Sequence, residues 1–208
     1  MPCSWELKPQ VLVAILTREL VTTAWAKGFK DLSIPANSTY SFITGMPFDH
    51  ARNTACQTAL DHGFQYLFFL DDDVIAPPHT IHQLISLNLD IVSGLYYRRA
   101  APIHPVALVE SQDGPSPVPL ANLEGVQKVD FVGAGCLLIK RNVLEKMPKP
   151  WFEWTLDKDM PGRKLSEDFE FCRRAKLSGF DSYVDTRLKC KHIGLASSSH
   201  EGYGPVHL

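Results

Sequence analysis

FQYLFFLDDDVIAPPHTIHQL, Phe64 to Leu84, drives an apolar run into three consecutive aspartates, Asp71, Asp72 and Asp73. Tyr66 to Leu70 lacks polar alternation, which fits a strand buried on both faces of a parallel sheet. Pro77-Pro78 then opens a helix to about Asn88, since proline is well placed in a first helical turn. In open α/β sheets ligands gather at the carboxyl ends of strands, and the aspartates stand at such an end. Residues i and i+2 of an extended segment point the same way, so Asp71 and Asp73 are expected to converge while Asp72 points elsewhere. Two converging carboxylates in a cleft need a cation, or one must take up a proton. Hard oxygen ligands suit Mg2+ or Mn2+. The plain alternative is a solvated acidic turn capping the next helix, which the buried strand in front disfavours. An EF-hand loop fails for want of its glycine and distal glutamate.

The flanking sequence continues the strand and helix alternation. Val11 to Leu16 reads as a first buried strand, with a helix-compatible stretch around Glu19 to Lys27. Ala51 to Leu60 reads as a helix with Ala51, Ala55 and Ala59 on one face and Gly63 as its stop. Asp90 to Gly94 is the next strand, and Gly114 to Pro119 is linker-like. Val129 to Lys140 reads as one strand carrying two glycines, followed by a short helix from Arg141 to Lys146. Trp151 to Leu165 is irregular and a candidate lid. Ser166 caps a helix to Leu177, and Asp181 to Asp185 is the last strand. The pattern predicts an α/β fold: one Rossmann-like domain over 1–194, a mostly parallel sheet flanked by helices, and a tail over 195–208 that is mobile or orders on binding.

The 208 residues, 45% hydrophobic and 21% charged with net charge −2, suffice for one sizeable core. They give no global electrostatic case for nucleic acid. Five irregularly spaced cysteines point to free thiols in a reducing compartment. The run VLVAIL is too short for a signal-peptide core, and no stretch approaches the ~20 apolar residues of a membrane span, so a soluble, cytoplasmic protein is expected.

A second acidic pair, Glu167-Asp168, begins the helix SEDFEFCRRAKLSG. Asp168 shares a helical face with Cys172, Ala175 and Gly179, which predicts that it stands at the buried edge while Glu167 is rotated away. First-turn acids often serve only the helix dipole. The alternative is a carboxylate base facing a cleft. His192, in KCKHIG, could join Asp71 and Asp73 around Mn2+. Zinc is disfavoured because no second ligand pair accompanies Cys190 and His192. Arg98-Arg99 and Arg163-Lys164 are solvated charges or cleft groups for donor phosphates or an anionic acceptor.

ARN, then LDDDV, VDFVGAGCLLIKR, PWF, SEDFEFCRRAKLSGF and CKHIG, in this order, resemble the GT-A fold nucleotide-sugar glycosyltransferases of the family-2-like kind. The stretch around Ala51 to Val74 is also similar to Anp1-type mannosyltransferases. The resemblance implies a metal-dependent transfer of a sugar from a UDP- or GDP-sugar, UDP favoured, to a hydroxyl of a glycan, lipid, protein or modified nucleic-acid base. It assigns Asp71, Asp73 and His192 to Mn2+ or Mg2+, and Asp168 with Glu167 to catalysis. Arg52 and Asn53 would lie on the nucleotide side of the donor site, Gly133, Ala134 and Gly135 close to the donor sugar, and Thr17 and Arg18 by the base, with Asp72, the spacer between the two metal-binding aspartates, also counted among the donor-binding residues. Trp151 and Trp154 fall where acceptor sugars stack, or in the core. The competing expectations are a nucleotidyltransferase, against which the missing Gly-rich loop after the first strand counts, and a catalytically silent nucleotide-sugar or carbohydrate-binding module.

Overall fold

The computed structural model describes residues 10–111, 116–117, 124–156, 164–193, 196–199 and 202–205. The first half contains β1 (Val11–Leu16), α1 (Thr23–Asp31), β2 (Thr39–Ile43), α2 (Phe48–Asp61), β3 (Tyr66–Asp71), β4 (Val74–Ile75), α3 (Thr80–Ser86), β5 (Ile91–Leu95), β6 (Ala107–Val109) and β7 (Ser116–Pro117). The second half contains β8 (Val126–Val129), β9 (Phe131–Val132), β10 (Cys136–Lys140), α4 (Arg141–Lys146), β11 (Thr155–Leu156), β12 (Lys164–Leu165), α5 (Glu167–Leu177), β13 (Ser182–Lys189), β14 (Lys191–His192), β15 (Ala196–Ser199) and β16 (Gly202–Pro205).

A seven-stranded sheet in the order β2-β1-β3-β10-β5-β13-β8 forms the centre. β2, β1, β3, β5 and β13 run one way, and β10 and β8 run against them. Successive residues of β1 feed opposite faces, which is why its whole run is apolar. Leu12, Ala14 and Leu16 join a core with Ala55 of α2, Leu144 of α4 and Phe171 of α5. Val11, Val13 and Ile15 join a second core with Trp25 of α1 and with Ile81 and Leu84 of α3. The fold is therefore a helix–sheet–helix sandwich of the expected α/β class.

Several boundaries differ from expectation for local reasons. Glu19 has φ 78°, a left-handed conformation that breaks the helix expected from there. α1 instead starts after Thr22, whose Oγ1 accepts from the Trp25 backbone N–H at 3.1 Å. β2 escaped the sequence reading because TYSFI is an edge strand with mixed exposure. The expected strand from Val129 to Lys140 is interrupted between β9 and β10, where Gly133, Ala134 and Gly135 form a connection. A Cβ on Gly133 would lie 1.9 Å from the Tyr96 hydroxyl oxygen, so that approach requires glycine. Within the region read as a tail, β15 and β16 pair as a hairpin that joins β14 and β4. Of the candidate lid, 157–163 lies outside the described residues, Arg163 included. No helix among the described residues is long and apolar enough to cross a membrane. Cys56, Cys136, Cys172 and Cys190 are buried free thiols.

Candidate functional site

The ends of β1, β3 and β5, the segment following β13, and the turn entering β10 all come to one edge of the sheet. The aspartate triplet is pinned there through its backbone. The Trp25 indole Nε1–H donates to the Asp71 carbonyl at 2.9 Å, and the Ile193 N–H donates to the Asp73 carbonyl at 2.7 Å. Asp72 and Asp73 occupy a turn between β3 and β4, so the extended alternation expected of the triplet stops at Asp71. The three carboxylates consequently take three different sets of partners.

Asp71 turns to Arg52 of α2, whose Nη2 lies 3.2 Å from both carboxylate oxygens. Arg52 is 3% exposed and also reaches Glu167 Oε1 at 3.3 Å and the Ala134 carbonyl at 3.4 Å. Its guanidinium lies over Phe69, 5.1 Å from the ring centroid. Glu167 is thus buried against Arg52 while Asp168 is half-buried, the reverse of the expected rotation. The physical reason is the buried guanidinium beneath the first turn of α5. It claims the nearer carboxylate, a partner that helical periodicity cannot reveal.

Burial and charge set the protonation of this cluster. Burial raises the Asp71 pKa, opposed by Arg52 and reinforced by Asp73. Glu167 is likewise raised by burial and by repulsion from Asp168, with Arg52 working against both. Burial alone would lower Arg52, but Asp71 and Glu167 outweigh it and hold the guanidinium charged. Tyr96 is raised well above its ordinary value by burial and by Asp168 and Asp71, so it stays a neutral phenol. Its hydroxyl accepts from the Gly135 N–H at 3.0 Å, which locks the glycine turn over the site.

Asp73 meets Arg99 Nη1 at 2.8 Å and His192 Nε2 at 3.3 Å. Burial pushes its carboxyl up, but the hydrogen bond and charge of His192 and the charge of Arg99 prevail, leaving it below the ordinary value. His192 Nδ1 lies 2.7 Å from the Tyr97 carbonyl, an oxygen that can only accept. Nδ1 therefore carries a hydrogen, and Nε2 faces Asp73 Oδ1 with either a proton or a lone pair. Protonated, Nε2 donates to Asp73; unprotonated, it offers a lone pair beside the carboxylate, and the carbonyl-oriented imidazole is the arrangement seen in metal-ligating histidines. This donor set fits a divalent ion that keeps waters and takes one carboxylate, one imidazole and substrate phosphate oxygens. Asp71 is not part of the pair, being held by Arg52. Among the described residues no three His, Cys, Asp or Glu side chains are grouped to hold a metal.

Asp72 looks to the other side. Its Oδ2 accepts from the Arg18 N–H at 3.2 Å, and with Leu16, Thr17, Arg18, Ile43 and Phe48 it lines a pocket of about 240 Å³. Thr17, Arg18 and Asp72 are therefore brought together around one pocket. Asn53 is not directed to that pocket. It donates to the Asp49 and Phe152 carbonyls at 2.8 and 2.7 Å and accepts from the Trp151 and Phe152 N–H groups, tying α2 to the loop before β11. Trp151 is buried with its Nε1–H on the Leu144 carbonyl, whereas Trp154 is exposed. Asp168 is held by the Ser166 hydroxyl and the Phe169 N–H, and it lines a separate pocket of about 430 Å³ with Arg98, His104 and Phe169.

Sequence reasoning missed Tyr96, Tyr97 and Trp25 altogether, and it named Arg99 as a cleft group or solvated charge without its partner Asp73. GLYY directly after an apolar strand was the available signal for the tyrosines, since tyrosine buried at a strand end needs a polar partner for its hydroxyl.

No family model matches this chain, and no curated protein matches its sequence. Among solved structures, A197 from STIV is similar with a TM-score of 0.66 and 18% identity, over 96% of this chain and 95% of that one. TarS from S. aureus overlaps 85% of this chain and 36% of its own, with a TM-score of 0.47 and 13% identity. Apo UDP-glucose pyrophosphorylase overlaps 88% of this chain and 76% of its own, with a TM-score of 0.43 and 11% identity. The likeness to A197 is one of fold.

Proposed function

We propose that this chain is a metal-dependent glycosyltransferase that moves a sugar from a nucleotide diphosphate sugar, UDP-sugar favoured, to an acceptor hydroxyl. The observation that carries the reading is His192, fixed through Nδ1 on the Tyr97 carbonyl and presenting Nε2 to Asp73 at 3.3 Å. On the other side of the same aspartate turn lies the pocket formed by Thr17, Arg18 and Asp72. Asp73 and His192 would hold Mn2+ or Mg2+, with Asp71 behind them on Arg52. A bound divalent ion supplies charge neutralisation for the departing nucleoside diphosphate.

The chain's own residues do the rest. Thr17, Arg18 and Asp72 seat the nucleoside. Arg99, already 2.8 Å from Asp73, adds fixed positive charge on the diphosphate side. Gly133 and Gly135 let Tyr96 close against the backbone next to Asp71. An acceptor hydroxyl against Asp168 passes its proton to that carboxylate as its oxygen bonds to the anomeric carbon, and the anomeric bond to the diphosphate breaks. Glu167, tied to Arg52, positions the first turn of α5.

The test is a thermal-shift series with UDP, GDP, CMP and dTDP, each with and without Mn2+. Ligand at about a hundred times its Kd stabilises by about 2.7 kcal/mol, so a rise of roughly 5–10 °C is expected for UDP, and only with the metal. Failure of every nucleotide to raise the melting temperature with either Mn2+ or Mg2+ would overturn the reading.

A further inference from the structure

The pocket of about 430 Å³ beside Asp168 is lined by Arg98, His104, Val106, Leu108 and Phe169, among others. Its size lies in the range of small-molecule sites. Val106, Leu108, Pro117 and Phe169 form its apolar wall, and its polar groups stand on separate elements. Asp168 comes from the first turn of α5, whereas Arg98 and His104 come from the connection between β5 and β6.

The charges of this pocket are unevenly matched. Glu167 is taken by Arg52, and the neighbouring Arg99 is taken by Asp73. Arg98 makes no ion pair among those found between the described residues. Its Nη1 rests on His104 Nε2 at 3.3 Å, and the His104 Nδ1 lies 3.0 Å from the Pro105 carbonyl. Since that carbonyl only accepts, Nδ1 carries the hydrogen, and Nε2 accepts from Arg98 as a neutral ring. The histidine thus orients the guanidinium without neutralising it, and its remaining N–H donors keep their charge for a ligand. Asp168 does not meet Arg98 within ion-pair distance, so the pocket holds a base and an uncompensated cation apart from each other.

Resting on the glycosyltransferase reading, we propose that the acceptor bound in this pocket is a small sugar or polyol that carries an oxyanion, a phosphate in the first instance. Asp168 receives the proton of its hydroxyl, and Arg98, oriented by His104, binds the anionic group. An arginine fork matches phosphate or carboxylate oxygens with two parallel hydrogen bonds. A neutral acceptor gains only ordinary hydrogen bonds from the exposed Arg98, whereas an oxyanion gains charge-assisted ones.

Isothermal titration calorimetry on the whole chain, with UDP and Mn2+ present to fill the donor side, tests this. Glucose 6-phosphate and glycerol 3-phosphate are titrated against glucose and glycerol, with glucuronate distinguishing a carboxylate from a phosphate as the anion. The phosphates are expected to bind at least tenfold more tightly than their neutral parents. Arg98→Gln, a change at an exposed side chain, should remove that difference while UDP affinity stays within twofold. Neutral parents binding as well as the phosphates, or a preference that survives Arg98→Gln, would overturn the proposal. Glucuronate binding more tightly than the phosphates, with the same dependence on Arg98, would assign the oxyanion to a carboxylate. The preceding titration of UDP with Mn2+ alone reads the donor site separately, so failure of the parent reading is told apart from failure of this one.

Discussion

Replacing Arg52 by methionine removes a buried cation but nearly keeps its volume, and the consequence follows from what it touches. Asp71 loses the nitrogen that reaches both its oxygens, Glu167 loses its ion pair with Arg52, and the Ala134 carbonyl loses a donor. Breaking a buried pair by deleting one partner costs about 3–5 kcal/mol, because an uncompensated charge stays behind. Against a total stability of about 5–15 kcal/mol this is a large fraction. Both carboxyls are already raised by burial, with Arg52 opposing the rise, so without it they climb further. A carboxyl whose folded pKa exceeds its unfolded value binds more protons when folded, so stability falls as pH rises from the unfolded toward the folded pKa. The deficit should therefore be small at pH 4 and grow as the pH rises toward 7, with a slope of up to about 1.4 kcal/mol per pH unit for each proton involved. Urea denaturation at pH 4, 5, 6 and 7 measures it. With m near 2 kcal/mol per molar, the pH 7 midpoint drops by about 1.5–2.5 M. Adding Glu167→Gln to Arg52→Met should recover part of the loss, a non-additivity expected of contacting groups. A loss below about 1 kcal/mol that does not change with pH would refute the view that Arg52 neutralises both acidic groups.

Asp168→Asn should lower sugar transfer by about 10²–10⁴-fold while leaving Mn2+-dependent UDP affinity within twofold, since it removes a proton acceptor and no donor contact. Transfer assays paired with calorimetry separate the two effects. His192→Gln should weaken Mn2+-dependent UDP binding by at least tenfold and leave metal-free UDP binding unchanged, measured by the same calorimetry. Gly133→Ala forces a Cβ against the Tyr96 hydroxyl, at 1.9 Å before relaxation. It should cost about 1–3 kcal/mol of overpacking in a thermal or urea melt, and Tyr96→Phe in the same background should return part of it.

Much of this protein was legible along the chain. β1 is buried on both faces, and its six apolar residues read out that burial directly, because strand periodicity is a local property of the sequence. α4 and the end of α5 fell at their expected places for the same reason, the latter closed by Gly179 at φ 86°. The acidic triplet, the ED pair and His192 were legible as candidates, because charge at the end of a buried strand or helix is conspicuous against an apolar background. Their partners were not. Arg52 and Glu167 are 115 positions apart, and His192 and the Tyr97 carbonyl are 95 apart. Such pairs meet only through the strand order β1-β3-β10-β5-β13, which local patterns leave undetermined. The sequence alone determined which residues are apolar, where β1, β3, β5, α4 and the end of α5 lie, and which acids stand at the ends of such segments. The tertiary structure decided that Asp71 serves Arg52, that Glu167 rather than Asp168 turns inward, and that Asp73 meets His192 and Arg99. A buried charge is settled by whichever opposite charge the folded sheet brings within about 3–4 Å, and no periodicity encodes that distance.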